Sequence, residues 1–176
     1  MVGGPVLDRF RVAVRIRDLS LLLLDLEGSE AAALQLDGRT LREGFDWLRE
    51  AIEKLAGTAP KFEFRGPGHD LPRHPVGEGG AFRILPGLEE LSNWFANGDR
   101  VLQYISAGDA SASVVRCWPR QFDMATLLSA EKGRSIAVGL SPGDSSYRQP
   151  YWYCSVRPEP DRRTTLPGLR YGTWHR

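Results

Sequence analysis

SVVRCWPRQFDMATLLSAEKGRSIAVGLSPGDSSYRQPYWYCSVR, residues 113–157, is a succession of short apolar segments broken by turn residues. Such spacing predicts a meander of strands over 113–118, 121–128, 134–140 and 149–156, with 129–133 as a hairpin loop. Small Ala137 and Gly139 alternate with Ile136, Val138 and Leu140. That alternation points to a central strand closely approached on one face. The alternative for residues 122–128 is a short helix after Pro119.

Upstream, Phe10, Val12, Val14 and Ile16 alternate with Arg11, Ala13, Arg15 and Arg17, the period of a half-buried strand. Residues 19–26 and 31–36 continue the β pattern. The 19–26 run follows several arginines but contains Ser20 and Asp25, so it reads as a strand rather than a signal-peptide core. Thr40 and Glu43 then form a capping box, and Leu41, Phe45, Leu48, Ile52 and Leu55 make one helical stripe ending at Gly57. A second helix is expected over 87–106, its buried stripe formed by Leu88, Leu91, Phe95, Leu102 and Ile105. Gly98 falls on that stripe and suits a close crossing. Between the helices, residues 58–86 form a long Gly/Pro-rich loop, with 61–64 and 81–84 as short extended pieces. A loop of that length is a candidate functional segment. Residues 158–176 read as a C-terminal coil.

These elements predict a single α+β domain over residues 1–176. Its antiparallel sheet of about six or seven strands carries two main helices on one face. A chain of 176 residues with 41% hydrophobic content is long enough for such a core. The net charge is +1 and no basic stripe is present, which argues against nucleic-acid binding. Arginine outnumbers lysine twenty to three, a bias that fits genome composition better than function. No membrane segment is expected. Cys117 and Cys154 lie among apolar neighbours and read as free thiols, which suits a reducing, cytoplasmic setting.

Several groups can carry chemistry. In His69-Asp70-Leu71-Pro72-Arg73-His74, two imidazoles lie close together, but not at helical spacing. A divalent metal there would need Asp123, with Asp144 as base or fourth ligand, and the result would be a hydrolase-like enzyme. Otherwise both histidines serve their own turns, and no cofactor is predicted. Asp123 sits in an apolar segment, where a carboxylate pairs with an arginine such as Arg116 or Arg120, or lines a site. On an extended strand Gln121 would share its face. The Ser141-Pro142-Gly143-Asp144 phrase is a turn, without the lysine or spacing of a phosphate loop. Tyr147, Tyr151 and Tyr153 can wall a pocket or a partner surface, and Trp152 is expected in the core. Nucleophile-elbow and dinucleotide-binding motifs are absent.

The block from Cys117 to Ala125, with Ser141-Pro142-Gly143-Asp144 and Pro150-Tyr151-Trp152-Tyr153, resembles an uncharacterised bacterial family, a domain of unknown function. The phrases 70–75 and Gly172-Thr173-Trp174-His175 belong to the same resemblance, which covers about residues 40–176. It implies histidines where this chain has Arg120 and Gln121, so a histidine site completed by His74 and Asp123 would be only partly kept here. It brings no activity with it.

The expected function is the binding of a small polar ligand. Its pocket lies between the 66–80 loop, the Asp123 strand and the Asp144 turn. Gln121 and Asp123 bond the ligand, Arg120 offsets negative charge, Asp144 lies alongside, and Tyr147 or Tyr151 forms a wall. The alternatives are the metal-dependent hydrolase using His69, His74 and Asp123, and an interaction module, such as a homodimer, using the aromatic C-terminal half.

Overall fold

The structure is a computed structural model that describes residues 2–64, 73–118, 120–144, 146–161 and 165–175. It is an α+β fold of eight strands and two long helices among those residues. The strands are β1 (Val2–Val6), β2 (Phe10–Arg15), β3 (Ser20–Leu24), β4 (Glu30–Gln35), β5 (Arg116–Trp118), β6 (Asp123–Ala130), β7 (Arg134–Ser141) and β8 (Tyr151–Arg157). The helices are α1 (Leu41–Ala56) and α2 (Leu88–Ala107).

The strands fall into two four-stranded antiparallel sheets, β1-β2-β3-β4 and β5-β6-β7-β8, rather than one sheet with both helices on a face. The cause is the order of elements. Hairpin connections keep sequential strands together, and two helices with a long connection separate the two meanders. The chain accordingly divides into two compact units, Met1–Asn97 and Gly98–Arg176, with the division inside α2.

In the first unit α1 packs on β3 and β4. Thr40 opens the helix with the expected capping box and Gly57 closes it with a left-handed φ of 70°. Phe10, Leu23 and Ile52 form the core, with Val12, Leu48 and Phe62 against it. The sequence reading missed β1, whose Gly3-Gly4-Pro5 between two valines are poor strand formers. An outer strand tolerates such residues because it forms its ladder on one side only. Residues 61–64 are not a strand, yet Phe62 and Phe64 lie edge-on to Phe45 at 5.2 and 5.3 Å. Ala81 makes a single bridge to Thr40, and Phe82 exchanges backbone hydrogen bonds with Gly38 and Arg39.

In the second unit the register fixes which residues share a face. One cross-strand row is Cys117, Met124, Leu140 and Trp152; the next, on the opposite face, is Arg116, Ala125, Gly139 and Tyr153. The C-terminal part of α2 covers the first face. A Cβ at Gly98 would fall inside contact distance of Leu140 Cδ2, which confirms the close crossing. Residues 122–128 resolve as strand from Asp123 onward. Trp152, expected in the core, is 50% exposed because β8 is the outer strand of its sheet. Among the described residues no helix is long and apolar enough to cross a membrane.

Candidate functional site

The face of the second sheet opposite α2 gathers most of the chemistry. It begins at the turn after Trp118, where the Phe122 amide donates to the Trp118 carbonyl and Phe122 takes a positive φ of 57°. That conformation is unusual for a bulky residue. It ends the turn and delivers Asp123 opposite Trp118, as the first residue of β6. Because the chain leaves the extended form at Phe122, Gln121 and Asp123 do not share a face as predicted. Gln121 is exposed on the turn, and Asp123 is buried at 7% exposure.

Asp123 is not paired with an arginine. Its Oδ2 accepts a hydrogen bond from the hydroxyl of Tyr153 on β8, and no ion pair joins it to Arg116 or to the exposed Arg120. To reach Asp123 the Tyr153 ring must cross β7, and it does so over Gly139. A Cβ on residue 139 would overlap the end of the ring at Cζ and Oη. The small residue in the middle of β7 is therefore what allows β8 and β6 to exchange a side-chain hydrogen bond. Burial first, then the hydrogen bond to Asp123 and its charge, raise the Tyr153 phenol above its ordinary value. Burial, with the Asp123 charge second, also pushes up the Cys117 thiol, which makes that cysteine a poor nucleophile.

A second carboxylate–tyrosine pair lies beside the first. The Tyr151 hydroxyl donates to Asp144 Oδ2 at 2.6 Å, and the Ser146 and Tyr147 amides donate to Oδ1 at 2.7 and 2.8 Å. The Asp144 amide in turn donates to the Tyr147 carbonyl at 2.7 Å, closing the predicted turn. The Tyr151 hydroxyl and the two amides hold Asp144 below the usual carboxylate range, and the bond to Asp144 raises Tyr151. Tyr147 meets His175 through its hydroxyl, and Thr173 Oγ1 lies 2.7 Å from His175 Nε2. The three tyrosine rings run in a row, with centroids 5.2 Å apart for Tyr147–Tyr151 and 6.3 Å for Tyr151–Tyr153.

Buried polar groups separate structural from candidate functional residues. Thr126, fully buried, donates to the Ser113 carbonyl at 2.8 Å and lies 3.0 Å from the Ser106 hydroxyl. Buried Ser141 accepts from the Gly143 amide at 3.2 Å. Asp123 Oδ1 alone, among the described residues, is a buried side-chain polar atom with no partner. A buried acceptor left unpaired costs about 1–3 kcal/mol.

The structure thus brings Asp123 and Tyr153 together on this face, and Asp144, Tyr147 and Tyr151 beside one another. Arg120 makes no ion pair with either carboxylate and stays exposed with Gln121 on the turn. His74 is exposed, and its Nδ1 accepts from the Val76 amide at 3.2 Å, the local turn role. His69 lies outside the described residues, as does the rest of 66–72. Among the described residues no three His, Cys, Asp or Glu side chains converge to hold a metal. Tyr153 was expected only as a wall of a pocket or partner surface, and Gly139 and His175 were not singled out from the sequence as site residues. The first two had a signal, a tyrosine spaced like Tyr151 and a glycine inside a strand; His175 had none, since it reaches Tyr147 across 28 residues of sequence.

In the first unit, Arg42, Phe45, Asp46, Arg49 and residues 62–64 line a cavity of about 320 Å³.

Comparison of the chain with protein-family models, with curated proteins and with solved structures found no match.

Proposed function

We propose that the second unit binds a small polar ligand on the face formed by Asp123, Asp144, Tyr147, Tyr151 and Tyr153. The observation that carries this reading is the buried Asp123, which holds one oxygen to Tyr153 and leaves the other without a partner. Evolution has other ways to fill a strand position, and an aliphatic residue would avoid the unpaired acceptor altogether. A ligand that donates a hydrogen bond gives that oxygen its use. The exposed Asp144 and the half-buried Tyr151 form the outer part of the same patch. Free thiols and the resemblance to a bacterial family are consistent with a cytoplasmic bacterial protein.

The test is a thermal-shift screen of small polar metabolites, with hits repeated on Tyr151→Phe and Asp144→Asn. Hits whose shift shrinks in both variants support the reading. Hits indifferent to both place binding elsewhere.

A second reading has its own observation. Trp152, on the opposite face of β8 from Tyr153, is 50% exposed, which favours a partner surface on the aromatic half. A stable dimer by light scattering that Trp152→Ser disrupts would favour it.

A further inference from the structure

Resting on that binding reading, we infer that the ligand carries an alkylammonium group, received by the carboxylates of Asp123 and Asp144 beside the rings of Tyr147, Tyr151 and Tyr153. What the face offers decides the class. Ionised carboxylates are acceptors only. Of the three tyrosine hydroxyls, those of Tyr151 and Tyr153 already give their protons to Asp144 and Asp123, and that of Tyr147 is engaged with His175. What remains is acceptor capacity on both carboxylates and the negative faces of aromatic rings, which attract cations. An anionic group would meet two carboxylates. A hydroxyl would satisfy one lone pair and leave the charges uncompensated, whereas an ammonium supplies three donors and the opposing charge.

Among the described residues no cation occupies this role. Arg116 and Arg157 project from the same face of the sheet. Arg157 pairs with Glu159 at 2.5 Å, and no ion pair joins either arginine to Asp123 or Asp144. Independently of the acidic pair, Asp123 Oδ1 is the buried acceptor without a partner. The two carboxylates differ in access. Asp144 is exposed and Asp123 is inside, its bonded oxygen held by Tyr153. The ammonium therefore meets Asp144 and Tyr151 first, and it reaches Asp123 as the Tyr153 ring yields over the bare backbone of Gly139.

The experiment is a titration of the whole chain followed by tyrosine-ring NMR, using n-butylammonium, n-butanol and butyrate as probes of one chain length. The expected result is a saturable shift of the Tyr151 and Tyr153 rings with butylammonium. Affinity should be at least about tenfold above that for butanol, weaken in high salt, and fall about tenfold in Asp123→Asn and in Asp144→Asn. Butyrate should leave both rings unmoved. Butanol binding as tightly as the amine, and depending on Asp123, would overturn the cationic ligand while sparing the polar-ligand reading. No saturable shift with any probe would overturn both. Amine binding unchanged in the two variants would overturn the site. Asp144→Asn lies on the exposed rim, so the test stays decisive even if Asp123→Asn fails to fold.

Discussion

The two sheets bury different things. The first closes over the hydrocarbon cluster of Phe10, Leu23 and Ile52 and, among the described residues, buries one polar side chain, Ser20 on β3. The second buries Leu102, Met124 and Leu140 on its helix side but also holds Asp123, Thr126 and Ser141 within its strands. An apolar interior is sufficient to fold a half-covered sheet, so each polar group sunk into either one calls for another explanation. For Ser20, Thr126 and Ser141 the explanation is local, since each has a partner, Ser20 in the carboxylate of Asp18. For Asp123 it is only half local, and that difference is what locates the candidate site.

Mutations can break this comparison or sharpen it. The largest effect is expected in the first unit, where Ile52→Ala removes a fully buried side chain from a core with nothing polar to solvate the gap. It should cost about 2–5 kcal/mol in denaturant unfolding. In the second unit Tyr153→Phe would leave both oxygens of Asp123 without the phenol and should cost about 1–3 kcal/mol. A double-mutant cycle with Asp123→Ala should return a coupling of the same order; additivity would mean that the pair does not interact.

Gly139→Ala is the sharper probe. The overlapping atoms are the far end of a movable ring, so its stability cost should sit near the lower end of the about 1–3 kcal/mol typical of overpacking. Its spectroscopic effect should be larger. With Tyr153 displaced from Asp123, the Tyr153 phenol should titrate closer to its ordinary value of about 10, which phenolate absorbance reads. Thr40→Ala, which removes the capping box of α1, should cost about 1 kcal/mol and leave the tyrosines untouched.

The smallest effects are in pH. The folded-state values of Tyr151 and Tyr153 are raised, so their contribution is full below about pH 10, the unfolded value, and is lost as pH climbs through the folded values. The sign reverses for Asp144, whose folded value is lowered. Its contribution is present above the unfolded value of about 3.9 and is lost as pH falls through the folded one. Stability curves against pH should therefore fall at both ends, and Tyr153→Phe should flatten the alkaline limb alone.

Much of this was legible in the chain and some was not. α1 could be read almost to the residue, because a capping box and a terminal glycine are local signals. The strands of the second sheet were legible from alternation, and Gly139 already pointed to a close approach. Two separate sheets were not legible: alternation identifies strands without saying which neighbours they join. The relation of Gln121 to Asp123 was misread because one left-handed residue, Phe122, breaks the period of two. Asp123 drew an arginine partner in the sequence reading since Arg116 and Arg120 are near in sequence; its actual partner, Tyr153, is brought across β7 by strand pairing.

The most direct measurement is to follow both melting temperature and ligand binding in Asp123→Asn, using a hit from the metabolite screen. Asparagine keeps an acceptor for Tyr153 while removing the charge. The prediction is a melting temperature within a few degrees of the parent, or above it, with binding lost. A large fall in melting temperature with binding intact would contradict the central claim and return Asp123 to a purely structural role.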